Sequence, residues 1–233
     1  MSIIITGSPG VGKHTVSKIL AETLGYKIVD INKEITEKDT GWFKNQNTGK
    51  IIQHKDRHNP KSGKKEYVVG GKVPYHKSDT YKVIGATLAG TSKQSDSIDV
   101  DVEKTKKLLE EKISDKSIVV GHLAPFVVSK DSVSTVIVLR KNPYDLIEIY
   151  EKRNYSDKKK NDNLGSEILG IITYDSIQNL GEDKTFQINT TSITAEETAK
   201  KIENIINRTS KGDAIDWLVD ITKKNDLRKF FPD

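Results

Sequence analysis

Residues 2–31 read Ser-Ile-Ile-Ile-Thr-Gly-Ser-Pro-Gly-Val-Gly-Lys-His-Thr-Val-Ser-Lys-Ile-Leu-Ala-Glu-Thr-Leu-Gly-Tyr-Lys-Ile-Val-Asp-Ile. The apolar run at 2–6 is too short for a helix and reads as a buried strand. Gly7 to Gly12 is a glycine-rich loop. From Lys13 to Leu24 the apolar residues Val16, Ile19, Leu20 and Leu24 fall at helical spacing. Gly25 then stands where a helix-ending glycine belongs. Residues 27–31 read as a second strand. A strand, loop, helix and strand within about 30 residues make a βαβ unit with parallel strands.

The loop has the pattern Gly7-x-x-x-x-Gly12-Lys13, and its place between a strand and a helix points to phosphate binding. Glycines let successive backbone N–H groups turn inward, and the helix N-terminus adds partial positive charge. Lys13 would bring a full charge to the phosphates. The alternative is an ordinary glycine-rich turn. The next position normally carries a metal-binding hydroxyl; here it is His14, and Thr15 follows. Imidazole is a poor ligand for Mg²⁺. This leaves three options: Mg²⁺ held by water and phosphate, Mg²⁺ reached by Thr15, or weak catalysis. Nucleotide binding should survive the change better than turnover.

Farther along, the αβ rhythm returns at Val100. Residues 101–113 form an amphipathic helix, 117–120 a strand ending in the turn Gly121-His122, and 134–139 a strand ending at Arg140. Pro143 suits the first turn of a helix running to about residue 152. Residues 153–163 read as a charged link, 167–180 as a helix and 184–188 as the last strand. Residues 195–206 read as a helix with Thr194 as N-cap. The expected fold is α/β: a P-loop three-layer sandwich around five parallel strands. The tail, 208–233, has an apolar face in Ile215, Leu218, Val219 and Ile221, and is expected to pack on the body.

The 233 residues suffice for one domain with additions, or for two small ones. No run of about 18 apolar residues suggests a membrane span. The N-terminus lacks a secretory signal pattern. The absence of cysteine excludes disulfides, thiolate metal sites and thiol catalysis. A cytoplasmic monomer is the expectation. The formal net charge is +5, unevenly spread. Residues 44–93 hold eleven basic and three acidic residues, a local +8, so the rest of the chain carries −3. This basic stretch dominates a segment, 44–97, that breaks the αβ rhythm. It holds β-like runs at 50–52, 66–69 and 81–84, and also His54, His58 and His76. Lysines interleaved with Tyr67, Tyr75 and Tyr81 permit phosphate contact and base stacking. A solvated lysine-rich loop is the alternative. A His54–His58 metal pair would need a helix that the segment does not suggest.

Taken together, four segments resemble the nuclear-type adenylate kinases of archaea and eukaryotes, a branch of the P-loop nucleoside monophosphate kinases that includes a small-ribosomal-subunit maturation factor. They are residues 5–13, Val119-Val120-Gly121-His122, Val136 to Arg140, and the lid-like Arg153-Asn154-Tyr155, where the family usually has Arg-Gly-Tyr. Asn163, Leu164, Glu167, Ile168 and Leu169 follow in the expected place. The resemblance covers roughly 1–43 and 98–207. It implies a kinase domain over 1–207 with a lid at 152–163, and leaves the basic insertion and the tail outside.

The resemblance also implies roles. Gly10, Val11, Gly12, Lys13, His14 and Thr15 would line the ATP phosphates, Thr15 as the residue toward Mg²⁺. Arg153 would reach the phosphates from the lid. Arg140 and His122 would support the phosphoryl site. Asp30 would open the monophosphate-binding region. Plainer readings stand beside these: Arg153 as a solvated charge, Arg140 as a strand end, His122 as a core histidine, Asp30 as a turn cap. The family usually has an acid helping to hold Mg²⁺ where this chain has Val120; Asp30 is a candidate replacement acting through a water. The implied activity is ATP-dependent phosphorylation of a nucleoside monophosphate, AMP first. The rival is an ATPase in ribosomal subunit maturation whose insertion binds rRNA or a ribosomal protein. A nucleotide-binding protein with little catalysis is the third option.

Overall fold

The structure is a computed structural model, and it describes residues 1–37, 41–44, 51–53 and 98–231. Five parallel strands form the central sheet: β1 (Ser2–Gly7), β2 (Lys27–Asp30), β6 (Ser117–Val120), β7 (Val133–Arg140) and β8 (Thr185–Asn189). Their order is β2-β6-β1-β7-β8. Residues 2–7 of β1 are buried throughout, as a strand flanked by two others and covered on both faces requires. Successive side chains alternate faces. Ile3 and Ile5 therefore join Val16, Leu20, Ile137 and Leu146 in one core, while Ile4 joins Val29, Val119, Val136 and Leu180 in the other.

The first core is covered by α1 (Lys13–Leu24), α5 (Pro143–Lys152), α6 (Asp157–Ile168) and α8 (Ala195–Ile206). The second is covered by α2 (Ile31–Glu37), α3 (Val102–Glu110), α4 (Ala124–Val127) and α7 (Ile171–Leu180). Gly25 ends α1 with φ 64, and Thr194 caps α8 through a capping box with Glu197. Both follow the sequence expectation. Among the described residues no helix is long and apolar enough to cross a membrane.

Several elements differ from the sequence reading. The expected charged link is mostly helix: Ser156 accepts from the Lys159 N–H and starts α6 at Asp157. The single helix expected over 167–180 is two, because Gly170 adopts φ 66 between α6 and α7. Helices α2 and α4 were not foreseen, and α3 stops at Glu110. A small antiparallel sheet joins β3 (Gly41–Lys44), β4 (Ile51–Gln53) and β5 (Ile98–Val100) in the order β4-β3-β5. Only β4 was legible, as the run at 50–52. The runs at 66–69 and 81–84 lie outside the described residues, as do His54, His58 and His76.

The tail forms α9 (Trp217–Lys223) and α10 (Leu227–Phe230). Trp217, Ile221 and Phe230 are buried in the first core. Leu218 and Val219, expected on the packing face, are exposed instead. Asp216 caps α9 by accepting from the Val219 N–H, and Trp217 and Ile221 form its buried side.

Candidate functional site

The site lies at the C-terminal edge of the sheet, where β1, β2 and β6 end. That edge is where open parallel sheets place ligands. From β1 the chain turns through Gly7 (φ 134), Gly10 (φ 93) and Gly12 (φ 96) into α1. A side chain at Gly7 would bring its Cβ within 2.3 Å of the Leu139 carbonyl oxygen, so this turn has no room for one. Three contacts from distant elements pin the loop. The Tyr150 hydroxyl donates to the Pro9 carbonyl at 2.8 Å, Thr190 donates to the Val11 carbonyl at 3.3 Å, and Ser8 donates to Glu167.

Lys13 is nearly buried. Its Nζ donates to the Gly7 and Ser8 carbonyls at 2.7 and 2.8 Å, folding the lysine back over the loop. Burial pulls its pKa from 10.5 down to about 8; Glu167 and Asp30 oppose the shift, and Arg153 adds to it. A cation that is expensive to keep inside, and whose direct partners among the described residues are carbonyls, is primed to accept an anion.

His14 and Thr15 are exposed in the first turn of α1. The His14 Nε2 lies 2.7 Å from Asp30 Oδ2, and Asp30 Oδ1 accepts the Asn32 and Lys33 N–H groups at 3.0 and 3.3 Å. Burial raises the Asp30 pKa, but the hydrogen bond and charge of His14, with the two N–H donors, outweigh it and hold the carboxyl below its ordinary value. His122 follows Gly121 at the end of β6. Its Nε2 is sealed from solvent and has no hydrogen-bond partner among the described residues. Burial, helped by the Lys13 charge, pushes its pKa down to about 3, so the ring is neutral at physiological pH.

Arg153 caps the end of α5 and is exposed, with its charge felt at Lys13. Asn154 takes φ 53, a conformation that asparagine tolerates and that explains how it stands where the resemblance has glycine. Tyr155 stacks on Tyr150 with centroids 5.3 Å apart, and the Lys159 Nζ sits 4.4 Å above the Tyr155 ring. The lid-like segment is thus joined to the helix that holds Pro9.

Arg140 is placed differently from its expected role at the phosphoryl site. It is 3% exposed. Its Nε donates to Glu167 Oε1 at 2.7 Å, Nη1 donates to Thr173 and Gln187, and Nη2 donates to the Glu167 carbonyl. All three nitrogens therefore have partners within the protein. Glu167 is the hub that the sequence reading missed: it also accepts from the Lys141 N–H and from Trp217 Nε1 at 3.1 Å. An acid between Leu164 and Ile168 on the buried side of a helix was the available signal.

The loop conformation and Lys13 fit a polyphosphate. For a divalent cation, Val120 offers no donor, whereas the fixed Asp30 carboxylate offers the oxygen that a hard ion prefers. The donor set therefore fits Mg²⁺ through oxygen.

This sheet and loop define a P-loop domain of the kinase type. The family model of the AAA domain matches residues 3–170, and the chain belongs to that family. It is 29% identical over 232 residues to a protein of Methanosarcina mazei named "Putative adenylate kinase", covering all of this chain and 95% of that one. A Saccharolobus solfataricus protein of the same name is 28% identical, covering 94% of this chain and 89% of its own. Among solved structures, the shikimate kinase of Bacteroides thetaiotaomicron aligns over 89% of this chain and 98% of its own, at 13% identity and a TM-score of 0.48.

Proposed function

We propose that the protein is an ATP-dependent nucleoside monophosphate kinase with AMP as its first acceptor. The observation that carries this reading is the buried Lys13 under a glycine-shaped loop, within the field of Arg153. Phosphoryl transfer needs positioned positive charge more than covalent chemistry. Similarity over 89–95% of the length of proteins named "Putative adenylate kinase" supports the choice of acceptor.

In this reading the loop N–H groups and the α1 N-terminus take the ATP phosphates. Lys13 leaves the Gly7 and Ser8 carbonyls for the β- and γ-oxygens. Arg153 closes over the transferred group as Tyr155 and α5 position it. Mg²⁺, when bound with the nucleotide, neutralises phosphate charge. Arg140 acts at one remove, holding Glu167, which holds Ser8 of the loop. His122, neutral and without a partner for Nε2 among the described residues, has a donor or acceptor to offer a phosphate oxygen or water.

The test is an acceptor screen: γ-labelled ATP incubated with AMP, CMP, GMP and UMP in turn. Label is expected to appear in ADP, and label in none of the diphosphates would overturn the reading. A second reading, an ATPase that binds RNA through the basic segment, draws on that segment's local +8 and on the apolar Val120. Under it, deleting 45–96 lowers a salt-sensitive RNA affinity and spares ATP binding; an unaltered affinity would count against it.

A further inference from the structure

Two positions on which a nucleotide's cation commonly depends carry other residues here. The place after the loop lysine, ordinarily a hydroxyl, holds His14. The end of β6 holds the fully buried Val120. Yet an acid is present at this level of the sheet. In the parallel pairing of β2 with β6, Asp30 is the register partner of Val120. A carboxylate therefore stands one strand over, at the same height. It is also held in place. A carboxylate has about four acceptor directions; His14 takes one at Oδ2, and the Asn32 and Lys33 N–H groups take two at Oδ1. The side chain keeps 22% exposure, so it is open to water, and its charge is felt at Lys13.

We propose that Asp30 is the protein's anchor for the divalent cation accompanying the nucleotide, acting through a cation-bound water, and that His14 is the positioning residue holding it. The proposal rests on residues 7–15 being a nucleotide phosphate site. Mg²⁺ gives up its waters reluctantly and is held through one or two carboxylates plus substrate phosphates. A water-mediated carboxylate meets that demand without the usual hydroxyl. The bond from His14 is the kind of outer contact that fixes a ligand's orientation. The substitutions at His14 and Val120 then make one change rather than two losses: the acid has moved from β6 to β2, and the hydroxyl position has become its clamp.

Asp30 also caps the turn into α2 through Oδ1. Asp30→Asn separates the two roles, because asparagine keeps the accepting Oδ1 and loses the charge. The measurement is ATP affinity of the full-length protein by titration calorimetry, once with Mg²⁺ and once with EDTA. The wild type is expected to bind more tightly with Mg²⁺. In Asp30→Asn that gain should shrink by about 10- to 100-fold, the scale seen when groups that organise a metal site are lost. Metal-free ATP should bind somewhat more tightly, since a negative charge near the phosphates is gone. A cap without a metal role would weaken both conditions alike. Adding His14→Thr to Asp30→Asn puts a hydroxyl back after Lys13 and should recover part of the gain. A wild-type Mg²⁺ gain retained in Asp30→Asn, or no gain in the wild type, overturns the proposal. Failure of the wild type to bind ATP in either condition would instead remove the phosphate-site reading beneath it.

Discussion

Lys13 shows how burial and function oppose each other at a single residue. Folding lowers its pKa from 10.5 to about 8. From about pH 8 to 10.5 the unfolded chain therefore holds a proton that the folded chain lacks, and this residue's contribution to stability rises with pH across that window. Bound phosphates reverse the preference by favouring the charged form. ATP binding above about pH 8 should then take up a proton, and binding near pH 6 should not. Calorimetry in buffers of different ionisation enthalpy reads this directly; heats that do not vary with buffer above pH 8 would contradict it. Lys13→Ala should abolish ATP binding. Lys13 and its glycines were readable in the sequence because the loop is contiguous. The His14–Asp30 contact was not, since sixteen residues separate the pair and only the β2–β6 register brings Asp30 level with Val120.

Among the elements, α6 does the joining. Its Glu167 touches the loop at Ser8, strand β7 through Arg140, and α9 through Trp217. The Arg140 and Glu167 side chains are 4% and 1% exposed, so neither charge has water to fall back on. Arg140→Met should leave a buried carboxylate without its cation and cost about 3–5 kcal/mol. Urea unfolding measures this, and a loss below about 1 kcal/mol, as for a surface pair, would contradict it. The helix itself was only half legible. Residues 157–162 include Asp157, three lysines and Asp162, and their polarity reads as a link. Tertiary contacts decide otherwise: the Ser156 cap starts the helix, and Leu164, Glu167 and Ile168 are buried on its inner side. Gly170 was missed as a break because the apolar period runs through it, while its φ of 66 ends α6.

For the molecule as a whole, the tail closes the first core. Trp217, Ile221 and Phe230 bury against it, and Tyr144 binds the tail by donating to Asp226 and by an edge contact with Phe230 at 5.0 Å. Removing 209–233 should uncover that core and strip Glu167 of one donor, lowering the thermal midpoint by several degrees at least, since about 1 kcal/mol shifts a chain of this size by roughly 2–4 °C. An unchanged midpoint would show that the tail is dispensable. The five parallel strands were legible at this scale because each is a short run set off by a turn or a helical period; their order, β2-β6-β1-β7-β8, was not. The small sheet was harder, because its strands are three or four residues long and β3 and β5 are more than fifty residues apart.

On the proposed reading, this site moves a phosphoryl group to a nucleoside monophosphate rather than to water. The most direct measurement is product stoichiometry with ATP and Mg²⁺, with and without AMP. With AMP present, two ADP are expected for each ATP consumed, with little phosphate release, and Lys13→Ala is expected to lose both ATP consumption and ADP formation. One ADP and one phosphate per ATP, unaltered by AMP, would contradict it.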